Sequence, residues 1–153
     1  MPTSTILSDN GVTSGTNGLK TAGGDDGSLV LQTTTSGGTA TTAMTIDTAQ
    51  NILISQAARA TVVTDNDGSF NMNAASNFKC TPSGTITLTF TNITSGQTGN
   101  IILVNGSNYT VAAAATTKVA AGALTTLSAT GTYFLSYYTD GTNVFVANTG
   151  ALS

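Results

Sequence analysis

The sequence contains no histidine, no glutamate and no tryptophan, and it has one cysteine, Cys80, and two prolines. Each absence closes a line of chemistry. Without histidine there is no ordinary general base and no Ser-His-Asp or Cys-His arrangement, and a zinc ligand set cannot be assembled from one thiol. One cysteine allows no intrachain disulfide, and Cys80 reads as a small buried hydrophobe. Charge is scarce as well, at 7% of residues against about 25% in ordinary soluble domains. The only cations are Lys20, Arg59, Lys79 and Lys118, and the formal net charge is −3. So few cations cannot release counterions from a phosphate backbone or hold an anionic bilayer, so neither nucleic acid nor membrane is expected as a partner. No stretch approaches the roughly 20 consecutive apolar residues of a membrane span. The N-terminus, MPTSTILSDNG, has neither a basic region nor an apolar region of a signal peptide. The expectation is synthesis in the cytosol.

Uncharged polar residues fill the space that charge leaves. Threonine is the commonest residue, alanine and 17 glycines follow, and hydrophobic residues make up 39%. Threonine is branched at Cβ and glycine is entropically costly in a helix, so this composition favours strands and turns. At 153 residues the chain can hold one ordinary domain with an extended arm.

Residues 4 to 28 carry turn signals at Asn10-Gly11, Asn17-Gly18 and Gly23 to Gly27 and only scattered apolar residues; such a segment cannot close its own core and reads either as disorder or as an arm ordered against neighbours. SLVLQ, residues 28 to 32, places Leu29 and Leu31 on one strand face and Val30 on the other. In AMTIDTAQNILISQ, residues 43 to 56, Met44 and Ile46 alternate with Thr45, residues 47 to 51 turn the chain, and Ile52 and Ile54 resume the alternation. That is a hairpin pattern, and three short strands with one apolar face are marginal alone. QAARA, residues 56 to 60, reads as one helical turn and as the boundary between an arm, 1–56, and a body, 57–153.

In the body, strand signals fall at 60–63, 69–71, 77–80, 85–90, 99–104, 109–113, 116–119, 124–128, 133–138 and 143–147. Their short spacing and Gly, Asn and Asp turns predict a β-sandwich or jelly roll, so the whole chain is expected to be all-β. TITLTF sets Ile86, Leu88 and Phe90 against Thr85, Thr87 and Thr89. The run from Tyr133 to Tyr138 is nearly continuously apolar, the mark of a strand covered on both sides, and the second cover is expected from another subunit.

Remaining candidates for chemistry are the aspartates. Asp25-Asp26 and Asp65/Asp67 are the close pairs, and both lie in Gly- or Asn-rich loops where aspartate serves turns, so no catalytic residue is expected. Asp65-Asn66-Asp67-Gly68 resembles the centre of a calcium loop, but Val63 and Ala74 stand where acidic ligands belong, so no metal is expected, and nothing calls for a cofactor. Asn92-Ile93-Thr94, Asn105-Gly106-Ser107 and Asn108-Tyr109-Thr110 match the glycosylation pattern at the rate chance gives in so Asn- and Thr-rich a chain. Tyr109, Tyr133, Tyr137 and Tyr138 sit in strand runs, where packing explains them better than a ligand platform does.

Two segments carry a resemblance. Residues 28 to 55 resemble the short β-repeat of phage fibre and appendage proteins, in which an "LxLQT" strand precedes an "AMTID…xNIxI" hairpin. Residues 77 to 152, with YYTDGTNVFV as the clearest part, are similar to a β-domain of marine-phage virion proteins. The resemblance implies a non-enzymatic structural protein of a tailed-phage virion, assembled in the host cytoplasm, in which three chains around a threefold axis bury each other's apolar faces. It implies the major capsid protein or other virion proteins as partners. A receptor-binding tail fibre carries a long shaft and a large tip, which this chain lacks, so capsid decoration, as a cement protein or head fibre, is the favoured place. The expected assembly residues are Met44, Ile46, Ile52 and Ile54 in the arm and Tyr137 and Tyr138 in the body, with Ile86, Leu88, Phe90, Phe134 and Phe145 as the body's apolar contacts. The alternative is a short tail appendage or adhesin whose loops 105–108 and 140–143 bind host surface glycans. A polysaccharide-degrading appendage would rest on the Asp pairs alone.

Overall fold

The computed structural model describes residues 29–34 and 40–153, and the chain divides into two units, Met1–Ala58 and Arg59–Ser153. Residues 1–28, the first half of the expected arm with Asp25-Asp26, and residues 35–39 lie outside the described residues.

The described part of the first unit is one antiparallel sheet in the order β1 (Leu29–Thr34), β2 (Ala40–Ile46), β3 (Ile52–Ile54). Register puts Leu29, Ile46 and Ile52 in one row and Leu31, Met44 and Ile54 in the next, so the sequence's alternation gathers six apolar side chains on one face. A register shift between Leu31 and Gln32 marks a bulge. Asp47 builds the connecting loop: its Oδ1 accepts from the N–H groups of Ala49 and Asn51, both at 2.9 Å, and its Oδ2 from Asn51 Nδ2 at 3.1 Å. Gln50 takes a positive φ of 67° there. Residues 56–60 form no helix, because no helical periodicity of apolar residues holds one in place.

The second unit is all-β apart from one helical turn, as the composition predicts, but its connectivity is not that of a jelly roll. The chain alternates between two sheets: β4 (Val62–Thr64), β6 (Asn77–Cys80) and β8 (Thr98–Asn105) pair in parallel in one, and β5 (Ser69–Asn71), β7 (Ile86–Thr91) and β9 (Val111–Ala113) pair in parallel in the other. Each passage from one sheet to the other and back is a coil stacked on the last, a β-solenoid-like arrangement. Expected turns such as Asp67-Gly68 and residues 82–84 are corners between sheets rather than hairpin connections. Period-two alternation reports which face a residue takes; it carries no information on which strand lies alongside, and that is why the two-sheet arrangement is foreseen while its stacked-coil connectivity is not.

After β9 the pattern changes. β10 (Thr117–Val119) leads into α1 (Ala123–Leu127), then β11 (Gly131–Thr139) pairs antiparallel with β8 and β12 (Val144–Asn148) antiparallel with β11, which completes a six-stranded sheet ordered β10-β12-β11-β8-β6-β4. Residues 124–127 of the expected strand 124–128 belong to α1, and Ser128 is its C-cap. Ala123, Leu124 and Leu127 have helical spacing, Leu127 is fully buried, and Gly122 enters with φ 80°. Ser128 Oγ donates to Leu124 O at 2.7 Å and accepts from the Val111 N–H at 2.9 Å, which ties the turn to β9.

The core lies between the two sheets. Phe78, Cys80, Ile101, Leu103, Tyr133 and Leu135 face Phe70, Ile86, Leu88, Phe90 and Val111, each side chain contributing about 1.5–3 kcal/mol if fully buried. Stacked coils put like on like. Phe70 pairs in register with Phe90, with ring centroids 5.4 Å apart, and Asn100 Nδ2 donates to Asn77 Oδ1 at 3.2 Å directly across the ladder. Among the described residues, no buried side-chain nitrogen or oxygen lacks a partner.

Candidate functional site

The expected assembly residues fall into three groups. Met44, Ile46, Ile52 and Ile54 do share the apolar face of the first unit's sheet. Ile52 is 63% exposed and Ile54 46%, and among the described residues of that unit no second layer packs on them. Leu53 and Val30, on the reverse face, are exposed too. A three-stranded sheet with apolar residues open on both faces cannot supply its own core.

Tyr137 and Tyr138, adjacent in sequence, separate completely. Tyr137 points inward, its ring 5.2 Å from Phe90 and its hydroxyl donating to Ser76 O at 2.9 Å, and burial raises its pKa. It is a core residue, with 4% of its surface exposed. Tyr138 points outward and is half exposed, level with Phe145 across the β11–β12 ladder. Phe134 and Phe145, expected as body contacts, are likewise on the outer face, whereas Ile86, Leu88 and Phe90 are in the core. The near-continuous apolar run of β11 is thus buried on one side, through Tyr133, Leu135 and Tyr137, and open on the other.

Beside these aromatics the outer face dips. A concavity of about 460 Å³ is lined by Lys118, Val119 and Ala120, by Ser136 to Tyr138, and by Phe145 to Ala147. Ser136 and Ala147, paired across the ladder, set two small side chains beside the large ones. Lys118 Nζ donates to Ala115 O at 2.6 Å, which holds the one charge of the rim back along its own strand end. Sequence reasoning missed this dip, since the small residues matter only once β11 and β12 are aligned.

The glycan-loop candidates are largely occupied with structure. Asn105 is buried; its Nδ2 donates to Tyr109 O at 2.7 Å and Leu127 O at 3.0 Å, and its Oδ1 accepts from the Tyr109 N–H at 3.0 Å. Asn108, at φ 53°, accepts from the Thr130 N–H and hydroxyl at 2.6 and 2.9 Å. In the 140–143 turn Asp140 Oδ1 accepts from the N–H groups of Asn143 and Thr142, which hold its carboxyl below the usual range.

Asp65 and Asp67 sit at the corner between β4 and β5. Burial and the hydrogen bond with Asp67 raise Asp65, while that same bond and the Ser69 N–H lower Asp67. Cys80, fully buried nearby, is pushed up to about 12 by desolvation and then by the two carboxylates. Asn66 uses its side chain on the Thr81 N–H at 2.8 Å, the next coil. The corner reads as turn chemistry, and among the described residues no group of three His, Cys, Asp or Glu side chains could hold a metal ion. No helix among the described residues is long and apolar enough to cross a membrane.

Among the described residues, fold and surface together define a mostly β chain with a short solenoid-like body and two open apolar surfaces. The chain matches no family model, and no curated protein and no solved structure is detectably similar to it.

Proposed function

We propose that this chain is a non-enzymatic structural protein of a tailed-phage virion, a homotrimer that decorates and stabilises the capsid. The observation that carries the reading is the single-layer sheet of residues 29–54, whose six apolar side chains share one face with exposure up to 63% at Ile52. Three copies around an axis bury such faces against one another, and the chain's sparse charge removes the repulsion that like charges would meet there. The resemblance of residues 28–55 to phage β-repeats supplies the virion setting. Its partners are then the major capsid protein or neighbouring virion proteins, and its place is the assembled particle.

The test has two parts. Purified full-length protein is expected to sediment as a trimer at micromolar concentration and to co-sediment with capsids stripped of decoration. A folded monomer at that concentration removes the shared-core reading. Binding to host cells or lipopolysaccharide, with none to capsids, selects the short tail appendage instead.

A further inference from the structure

The outer face of the six-stranded sheet is a second surface that the body leaves open, and its shape says what fits. Along β11 the outward residues are Phe134, Ser136 and Tyr138, so two aromatic side chains stand about 13 Å apart with a small residue between them. In β12, Phe145 lies beside Tyr138 and Ala147 beside Ser136, which widens the ridge at one end and the dip in the middle. Phe134, Tyr138 and Phe145 are 37%, 50% and 45% exposed. The face therefore carries both ridge and trough. Lys79 and Lys118 are the only charged side chains that register places on it, and no carboxylate joins them.

We propose that this outer face packs against the body of a second copy of the chain, an aromatic ridge of one copy entering the Ser136/Ala147 trough of the other. The inference rests on the assembly reading above and names a surface for it in the body. Area supports the second copy: the strand residues of the six-stranded sheet, at about 3.3 Å along and 4.8 Å across each, cover about 500 Å². Two such faces bury about 1,000 Å² together, the size that a specific interface has to reach. Charge supports it too, because an acidic partner would find only two lysines, one already held by Ala115 O. A sugar ring needs several polar groups fixed around an aromatic platform, and the side chains lining the dip offer outward only the Ser136 and Tyr138 hydroxyls and Lys118, whose ammonium already donates to Ala115 O. Aromatic side chains seated in such a trough are where interface energy concentrates.

The experiment compares the full chain with Phe145→Ser, which removes a ridge, and Ala147→Phe, which fills the trough. Both positions are solvent-exposed and leave the core intact. Sedimentation equilibrium is expected to show self-association weakened at least about tenfold in each variant. Hydroxyl-radical footprinting of the unaltered protein, which needs no variant to fold, is expected to show Phe134, Tyr138 and Phe145 protected as concentration rises. An oligomeric parent whose association is unchanged in both variants, with the three aromatics equally reactive at all concentrations, overturns this surface and leaves the trimeric reading standing. A parent that is monomeric throughout overturns both.

Discussion

Asp65 and Asp67 show how one short motif divides its labour. Hydrogen bonds lower the carboxyls of Asp47, Asp67 and Asp140, so what these groups contribute to stability is present above the unfolded carboxylate value near pH 4 and is lost as pH falls through their folded values. Asp65 runs the other way. Its folded pKa is raised, so its contribution is full below about pH 4 and is lost as pH rises through the folded value. Asp65→Asn keeps an acceptor for the Asp67 N–H, now at 3.3 Å, and gains a permanent donor toward Asp67. The urea midpoint of this variant is expected to exceed the parent's at pH 7 and to match it below pH 4; a lower midpoint at pH 7 overturns the carboxyl-pair account. The sequence shows the Asp-Asn-Asp-Gly turn plainly. It does not show that Cys80 lies against it, because that contact joins successive coils.

At the scale of elements, most strands were legible because alternation survives in them: Ile86, Leu88 and Phe90 are buried and the intervening threonines are not. Where the reading failed, a different period was present. Ala123, Leu124 and Leu127 follow helical spacing, but two threonines between leucines mimic a strand over so short a span. The candidate site was half legible for the same reason, since alternation separates Tyr137 from Tyr138 only once the inward set of β11 is known. Pairing was not legible at all, and close coil contact shows why glycine sits where it does. A Cβ on Gly99 would overlap the carbonyl oxygen of Ser76, which already accepts from the Asn100 N–H at 2.9 Å and the Tyr137 hydroxyl. Gly99→Ala must push β6 away from β8 or break those bonds, at an expected cost of about 2–3 kcal/mol in denaturant unfolding. Gly84→Ala is the control: nothing lies within 4 Å of its added Cβ, and its effect is expected to stay within about 0.5 kcal/mol.

For the whole molecule, the two units differ in what holds them. Every member of the buried cluster, from Phe70 to Val146, belongs to Arg59–Ser153, and the three linked aromatic contacts Phe70–Phe78, Phe70–Phe90 and Phe90–Tyr137 join both sheets within that unit. The sheet of residues 29–54 has an apolar face and no comparable core among its described residues. Folding of the body is therefore local to it, whereas the stability of the first sheet is tied to what covers it, and that cover adds stability by mass action when it is another copy. A fragment of residues 59–153 is expected to unfold in one cooperative transition, with slow amide exchange in β6, β8 and β11 as in the full chain. It is expected to self-associate more weakly than the full chain, because only the outer face of the six-stranded sheet remains. In the full chain, exchange in β2 and β3 is expected to slow as concentration rises, while exchange in the body's core strands stays constant. A fragment that fails to fold would show that the core between the two sheets is not self-sufficient; one that assembles as tightly as the full chain would place assembly in the body and remove the first sheet from it.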